Sequence, residues 1–173
     1  MQYVNKYISP LGEMIMAADE EGLTGLWFAE QKYFDVVELR NCQEKDLPIF
    51  DDVKRWLDGY FQGKNPNFNL PLHLVGTEFQ KRVWQILYQI PYGQTVTYGD
   101  IAKMLATDMG IGKVSAQAVG GAVGHNKISI IVPCHRVVGA KGNLTGYAGG
   151  LDKKIALLQL ENAYKDNFYV PKP

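Results

Sequence analysis

The sequence predicts an α/β chain of the α+β kind: a small sheet-and-helix part over residues 1–76, then a mostly helical part over 77–173 that holds a helix-turn-helix. Three observations carry this. Strand-like runs bounded by glycine crowd the start of the chain, and apolar stripes at helical spacing recur after residue 77. Charge divides at nearly the same place. Residues 1–78 hold 7 Lys/Arg against 13 Asp/Glu, a balance of −6, and residues 79–173 hold 11 against 5, a balance of +6. An acidic half joined to a basic half points to a polyanion as partner of the second. Two halves that merely attract each other would give the same totals.

Composition bounds the class. Apolar residues make up 46% and charged residues 21% of the 173, which is a globular balance and not a disordered one. No apolar run approaches the ~20 residues that span a bilayer. No basic head followed by an apolar stretch opens the chain, so no secretory leader is expected. The two cysteines, Cys42 and Cys134, are too few for a disulfide scaffold or a cysteine-rich zinc module. A reducing cytoplasm is the expected compartment.

The first part opens on strands. Residues 3–8 and 12–18 are short and rich in β-formers, Asp19-Glu20-Glu21-Gly22 reads as a turn, and 23–28 reads as the next strand. Tyr3, Tyr7, Trp27 and Phe28 read as core. A helix is expected over 47–62, where Phe50, Val53, Leu57, Tyr60 and Phe61 share a face. Pro48 suits its first turn and Gly63 its end. Residues 64–76 carry Asn and Pro and read as an extended linker, with His73 on its surface.

The second part opens on Thr77-Glu78-Phe79-Gln80, a capping-box pattern. Phe79, Val83, Ile86, Leu87 and Ile90 stripe the helix that follows, and Pro91-Tyr92-Gly93 stops it. Thr97 is placed to cap a short helix from Tyr98 to about Leu105, with Asp100 at the reciprocal position. A loop over 106–114 leads to a second helix, Ser115 to Val123. Two short helices and a compact loop make the helix-turn-helix. The second helix is nearly bare of long side chains, and each Gly there costs ~1 kcal/mol against Ala. Close approach explains its small residues, to another helix or to a nucleic-acid backbone. Ile128–Val132 reads as a short strand, Val138–Gly150 as a glycine-rich loop, and Leu151–Leu160 as the last helix, its stripe Leu151, Ile155 and Leu158. No internal repeat is evident.

Cys134 carries the chemistry. Pro133 fixes the backbone before it, and His135 and Arg136 follow it. Basic neighbours favour the thiolate, the nucleophilic form; an inert buried thiol is the alternative. On an extended chain Cys134 and His135 would point to opposite faces, so a turn at Pro133 or a bridging water is required. His135 also needs a third group to orient it. Asp100, Asp108, Asp152, Glu161, Asp166 and Glu78 are all open on spacing alone.

The segment Ile131-Val132-Pro133-Cys134-His135-Arg136-Val137-Val138 resembles the active-site segment of the O6-alkylguanine-DNA alkyltransferases, the methylated-DNA–protein-cysteine methyltransferases. The resemblance runs from about Thr77 to Glu161. It includes Val96-Thr97-Tyr98, Ala118-Val119-Gly120-Gly121-Ala122, Asn126 and Gly146-Tyr147-Ala148-Gly149-Gly150-Leu151 in order. It implies a ribonuclease-H-like first domain and a DNA-repair protein that moves the alkyl group of O6-alkylguanine, and of O4-alkylthymine, irreversibly onto Cys134. It implies that His135 deprotonates the thiol through a water and that Glu161 holds His135. Tyr98 would serve the departing guanine, and Asn126 would tie the helix-turn-helix to the active-site segment. Ser115, Gln117, Ala118 and Gly121, with Arg136, would meet double-stranded DNA; Tyr147, Val138, Ala148 and Gly149 would line the base pocket. No cofactor, metal, membrane or obligate protein partner is expected, and a monomer is.

Two positions depart from the family pattern. Gln117 stands where an Arg commonly fills the gap left by the flipped base, so it supplies an amide but no charge. Ala148 stands where some relatives have Ser. Three other classes compete. A non-catalytic lesion-binding protein would lack the reactive cysteine. A helix-turn-helix regulator would need long polar side chains for base readout. A thiol hydrolase would turn over repeatedly.

Overall fold

The computed structural model describes residues 2–29, 42–144 and 146–171. Thr145 of the glycine-rich loop lies outside them. The chain forms two compact units, Met1–Val75 with Lys127–Ser129, and Gly76–Asn126 with Ile130–Pro173.

The first unit is built on a four-stranded sheet. Its strands are β1 (Gln2–Ser9), β2 (Gly12–Ala18), β3 (Leu23–Phe28) and β4 (Cys42–Glu44), in the order β3-β2-β1-β4. β1 and β2 pair antiparallel through the turn at Gly12, β2 and β3 likewise, and β4 adds parallel to β1. Alternation on β2 sends Met14 and Met16 inward. Helix α1 (Pro48–Phe61) buries Phe50, Val53, Leu57 and Tyr60, and Tyr7 reaches it through a 2.6 Å hydrogen bond from its hydroxyl to Asp58. The turn before β3 is closed by Asp19, whose carboxylate accepts from the Glu21 and Gly22 amides.

β3 lies at the sheet edge yet is almost wholly buried. Two segments cover that edge and satisfy its backbone groups, as an unprotected edge requires. The Leu23 amide donates to Pro71 and the His73 amide to Leu23; the Leu26 amide donates to Lys127 and the Ser129 amide to Leu26. Two expectations change here. Residues 64–76 are not a free linker throughout, because Leu72 bridges Leu23 and His73 is held by Asp19 at 2.6 Å and Glu21 at 3.1 Å. Ile128–Val132 is not a strand. Only Ile128 bridges, and the chain then turns at Ile130, whose φ is +69°.

The second unit starts at the expected cap. Thr77 and Gln80 exchange both bonds of a capping box at the head of α2 (Glu78–Tyr88). Trp84, on the buried face, donates its indole N–H to Ala122 O at 2.9 Å. Strand β5 (Val96–Thr97) pairs parallel with β6 (Val137–Val138), which sets the start of α3 (Tyr98–Met109) beside the segment after Cys134. Thr97 and Asp100 form a second capping box. α3 runs to Met109, past the expected stop near Leu105, because Gly110 is the first residue to turn left-handed, at φ +66°. α4 (Ala116–Gly124) is capped by Ser115. α5 (Leu151–Leu160) buries Lys154, Leu157 and Leu158; Leu151 and Ile155 are only partly covered, so the stripe is rotated from the expected one.

Candidate active site

The chain is not extended at Cys134. Pro133 O accepts the Arg136 amide at 3.0 Å, and Cys134–Arg136 form one 3-10 turn. All three side chains are buried. That turn sends His135 toward the end of α5, where Glu161 closes the helix. His135 Nε2 and Glu161 Oε2 lie 2.6 Å apart, and both side chains are fully buried.

Glu161 is held from several sides. Arg136 Nε donates to Oε1 at 2.8 Å, Arg136 Nη2 to Oε2 at 3.1 Å, and the Gly93 amide to Oε1 at 3.1 Å. Burial alone would push this carboxyl up. The hydrogen bonds and charges of His135 and Arg136 overcome it and hold the group far below the usual carboxylate range. Burial pushes His135 down against the opposing pull of Glu161, so the ring is neutral near pH 7.

Burial pushes the Cys134 thiol up, and two neighbours oppose it. Asn126 hydrogen-bonds the sulfur, and Lys154 contributes positive charge. Asn126 also donates from Nδ2 to Val132 O at 2.8 Å, so one buried amide ties the second residue after α4 to the chain just before Cys134. Lys154 is wholly buried and donates from Nζ to Val137 O at 2.6 Å. Burial brings it down to about 8.

Tyr98 opens α3, and its hydroxyl points at Gly146 O, 3.5 Å away. Burial, reinforced by Cys134, pushes its phenol up to about 12, so it keeps its proton at neutral pH. Gly146 has φ +71°, and a Cβ there would stand 3.4 Å from the Tyr98 hydroxyl. Val138 is buried on β6, and Tyr147, Ala148 and Gly149 follow Gly146 in a turn closed by the Gly150 amide on Tyr147 O.

The exposed side of α4 presents Gln117, Ala118 and Gly121, with Ser115 at its head. The Ser115 hydroxyl accepts from the Gln117 and Ala118 amides. A Cβ at Gly121 or Gly124 would meet nothing within 4 Å, and one at Gly120 only Tyr98 at 4.0 Å. Packing among the described residues therefore does not account for these glycines.

Arg136 is a correction. Its guanidinium was expected to meet DNA, but it is buried, spent on Glu161 and on Ile90 O at 2.7 Å, and its centre lies 5.7 Å from the Tyr92 ring. A cation buried in this way does not face a phosphate at the surface. Sequence reasoning missed Lys154 altogether. Lys153-Lys154 looks like a solvated pair, yet position 154 stands three and four residues before Leu157 and Leu158, the buried face of α5, and that spacing was the available signal. The Gly93 amide and the carbonyls of Ile90, Val132 and Val137 carry no signal in side-chain chemistry.

Residues 2–74 match the family model for the ribonuclease-like domain of 6-O-methylguanine DNA methyltransferase, and residues 78–163 match that for its DNA-binding domain. A methylated-DNA–protein-cysteine methyltransferase of Methanosarcina acetivorans is 46% identical over 161 residues, covering 93% of this chain and 99% of its own. The constitutive enzyme of Bacillus subtilis is 39% identical, covering 96% and 99%. Among solved structures, the Mycobacterium tuberculosis O6-methylguanine methyltransferase superposes with a TM-score of 0.80 at 43% identity, covering 94% of each chain. The same organism's protein in complex with DNA gives 0.80 at 42% identity, covering 93% of each. The chain belongs to the 6-O-methylguanine DNA methyltransferase family.

Proposed function

We propose that the protein repairs alkylated DNA by moving the alkyl group of O6-alkylguanine onto its own Cys134, once per molecule. The observation that carries this is the buried run Cys134-His135 with His135 locked to Glu161, in a chain of this family. His135 takes the thiol proton through a water. The sulfur attacks the alkyl carbon, the carbon–oxygen bond breaks, and the guanine leaves as an anion that takes a proton or hydrogen bond from Tyr98. Each group is in the form its part needs. His135 is neutral and able to accept, and Tyr98 keeps its proton to give. Asn126 and Lys154 favour the thiolate that burial disfavours. The thioether has no evident route of hydrolysis, so the protein is consumed.

A base inside a duplex is out of reach of a buried thiol and has to be flipped out. The small exposed residues of α4 let that helix lie against the nucleic-acid backbone, and Gln117 fills the stack. Tyr147, Val138, Ala148 and Gly149 receive the flipped base, and O4-alkylthymine is a second substrate. Residues 76–173, apart from 127–129, do this work, and 1–75 with 127–129 form the other domain. One thiol per lesion calls for a monomer, and a thiol that has to stay reduced suits the cytoplasm.

The test is a titration. Protein mixed with excess duplex carrying labelled O6-methylguanine is expected to stop at one methyl per chain. Continued turnover would make it a hydrolase, and tight binding without transfer would make it a lesion-binding protein.

A further inference from the structure

The arginine after His135 is no surface cation. Arg136 spends Nε and Nη2 on the two oxygens of Glu161 and Nη1 on Ile90 O, and it lies over the Tyr92 ring. Ile90 and Tyr92 flank the Pro91 that follows α2, and the Gly93 amide from the same turn binds Glu161 Oε1. Glu161 thus faces His135 across a carboxylate whose remaining directions are filled by one guanidinium and one amide. We infer that Arg136 is a positioning residue for the alkyl transfer: it fixes the Glu161 carboxylate against His135 through a two-point fork, and its charge offsets that of Glu161.

The inference rests on the proton relay just described and adds a member to it. An unopposed buried carboxylate 2.6 Å from His135 would favour the imidazolium, and an imidazolium accepts no proton. Burial does most to keep His135 neutral; of the charged groups that act on it, Glu161 favours the charged ring, and Arg136 and Lys154 disfavour it. Tyr92 is coupled to Glu161 and Arg136, and its phenol is pushed up by burial and by Glu161, so it stays neutral. Of the two opposing cations, Arg136 bonds both oxygens of Glu161 directly. Its planar fork matches the two carboxylate oxygens, which a lysine ammonium cannot do.

The test uses the full chain, single-turnover transfer from free O6-benzylguanine between pH 5 and 9, and circular dichroism to verify folding. Arg136→Gln is expected to move the acid limb of the rate profile upward, so that the rate falls about tenfold at pH 6 and recovers toward pH 9. Arg136→Lys keeps the charge and loses the fork. It is expected to leave the acid limb in place and lower the plateau severalfold. An equal loss at every pH in both variants would overturn the inference, because a purely structural arginine would act that way. If Arg136→Gln does not fold, the pair Glu161→Gln and Arg136→Gln/Glu161→Gln decides, since the double variant buries neither charge. An arginine that works through Glu161 adds no further loss once Glu161 is gone; a multiplied loss would overturn the inference. The relay itself fails separately, if folded His135→Ala and Glu161→Gln proteins both react at the unaltered rate.

Discussion

Replacing Glu161 by Gln tests the relay most sharply, because it changes one heavy atom and little volume. Glu161 Oε2 sits 2.6 Å from His135 Nε2; with the carboxylate accepting that N–H hydrogen bond, the relay proposed above leaves Nδ1 as the nitrogen that takes the proton from the thiol. An amide placed there offers N–H groups instead. If it donates to Nε2, the ring is held in the other tautomer, with Nδ1 already protonated. Loss of a correctly prepared base is worth ~10²–10⁴ in rate. The same change strands the Arg136 guanidinium in the interior, which costs about 3–5 kcal/mol of the ~5–15 kcal/mol typical of a domain. The assay therefore pairs single-turnover transfer from O6-benzylguanine with a thermal melt and with duplex binding by fluorescence anisotropy. The expected result is a folded, less stable protein that binds duplex within a few-fold of the parent and transfers at least a hundredfold more slowly. Stability carries its own sign. The Glu161 carboxyl is depressed in the fold from its ordinary 4.5, so its contribution is present above about pH 4.5 and is lost as pH falls toward the folded value. The parent should lose stability on acidification below pH 4.5 more steeply than the variant. An unaltered transfer rate in a folded Glu161→Gln protein would refute the reasoning.

Gln117→Ala should slow repair of duplex DNA and spare free O6-benzylguanine, and Gln117→Arg should tighten duplex binding; equal losses on both substrates, read in parallel single-turnover runs, would place Gln117 in folding or chemistry instead. Duplex affinity should fall steeply with salt, because the exposed lysines and arginines of the basic half are the groups proposed to meet phosphates, and an affinity indifferent to salt in an anisotropy titration would contradict that. Lys154 drops from 10.5 to about 8 in the fold, so between those pH values the unfolded chain holds a proton that the folded chain does not. Denaturant melts should show stability rising with pH across that window in the parent and flat in Lys154→Met. Gly142→Ala meets both a φ of +85° and Asn167 O at 2.5 Å from the new Cβ, and should lower stability by about 1–3 kcal/mol without touching Cys134; an unchanged melting temperature would deny that strain.

The sheet and the helix starts were legible because their causes are local. Thr77-Gln80 and Thr97-Asp100 carry their capping partners three residues away, and Gly12 and Gly22 punctuate β1 to β3 where a turn is needed. The thiol and its neighbours were legible through the ordered motif from Thr77 to Glu161. Causes that lie far along the chain were not. Residues 71–73 and 127–129 are ordered by the open edge of β3, which no local pattern announces. Ile128–Val132 has a strand's composition, yet pairing ends after Ser129 and the backbone turns left-handed at Ile130. Arg136 looked like a phosphate ligand because charge reads as surface until a buried partner is known. That partner, Glu161, is 25 residues away. The length of α3 was misjudged for a simpler reason: Ala106-Thr107-Asp108 contains no helix breaker, so the helix persists to Gly110.

The central claim is that Cys134 is the acceptor and is used once. Peptide mass spectrometry after incubation with duplex O6-methylguanine tests it directly, with a Cys134→Ser protein run alongside. The account predicts one added methyl, wholly on the peptide that carries Cys134, unmethylated guanine left in the DNA, and no transfer in Cys134→Ser. A methyl on Cys42, or repaired DNA with Cys134 left unmodified, would contradict it.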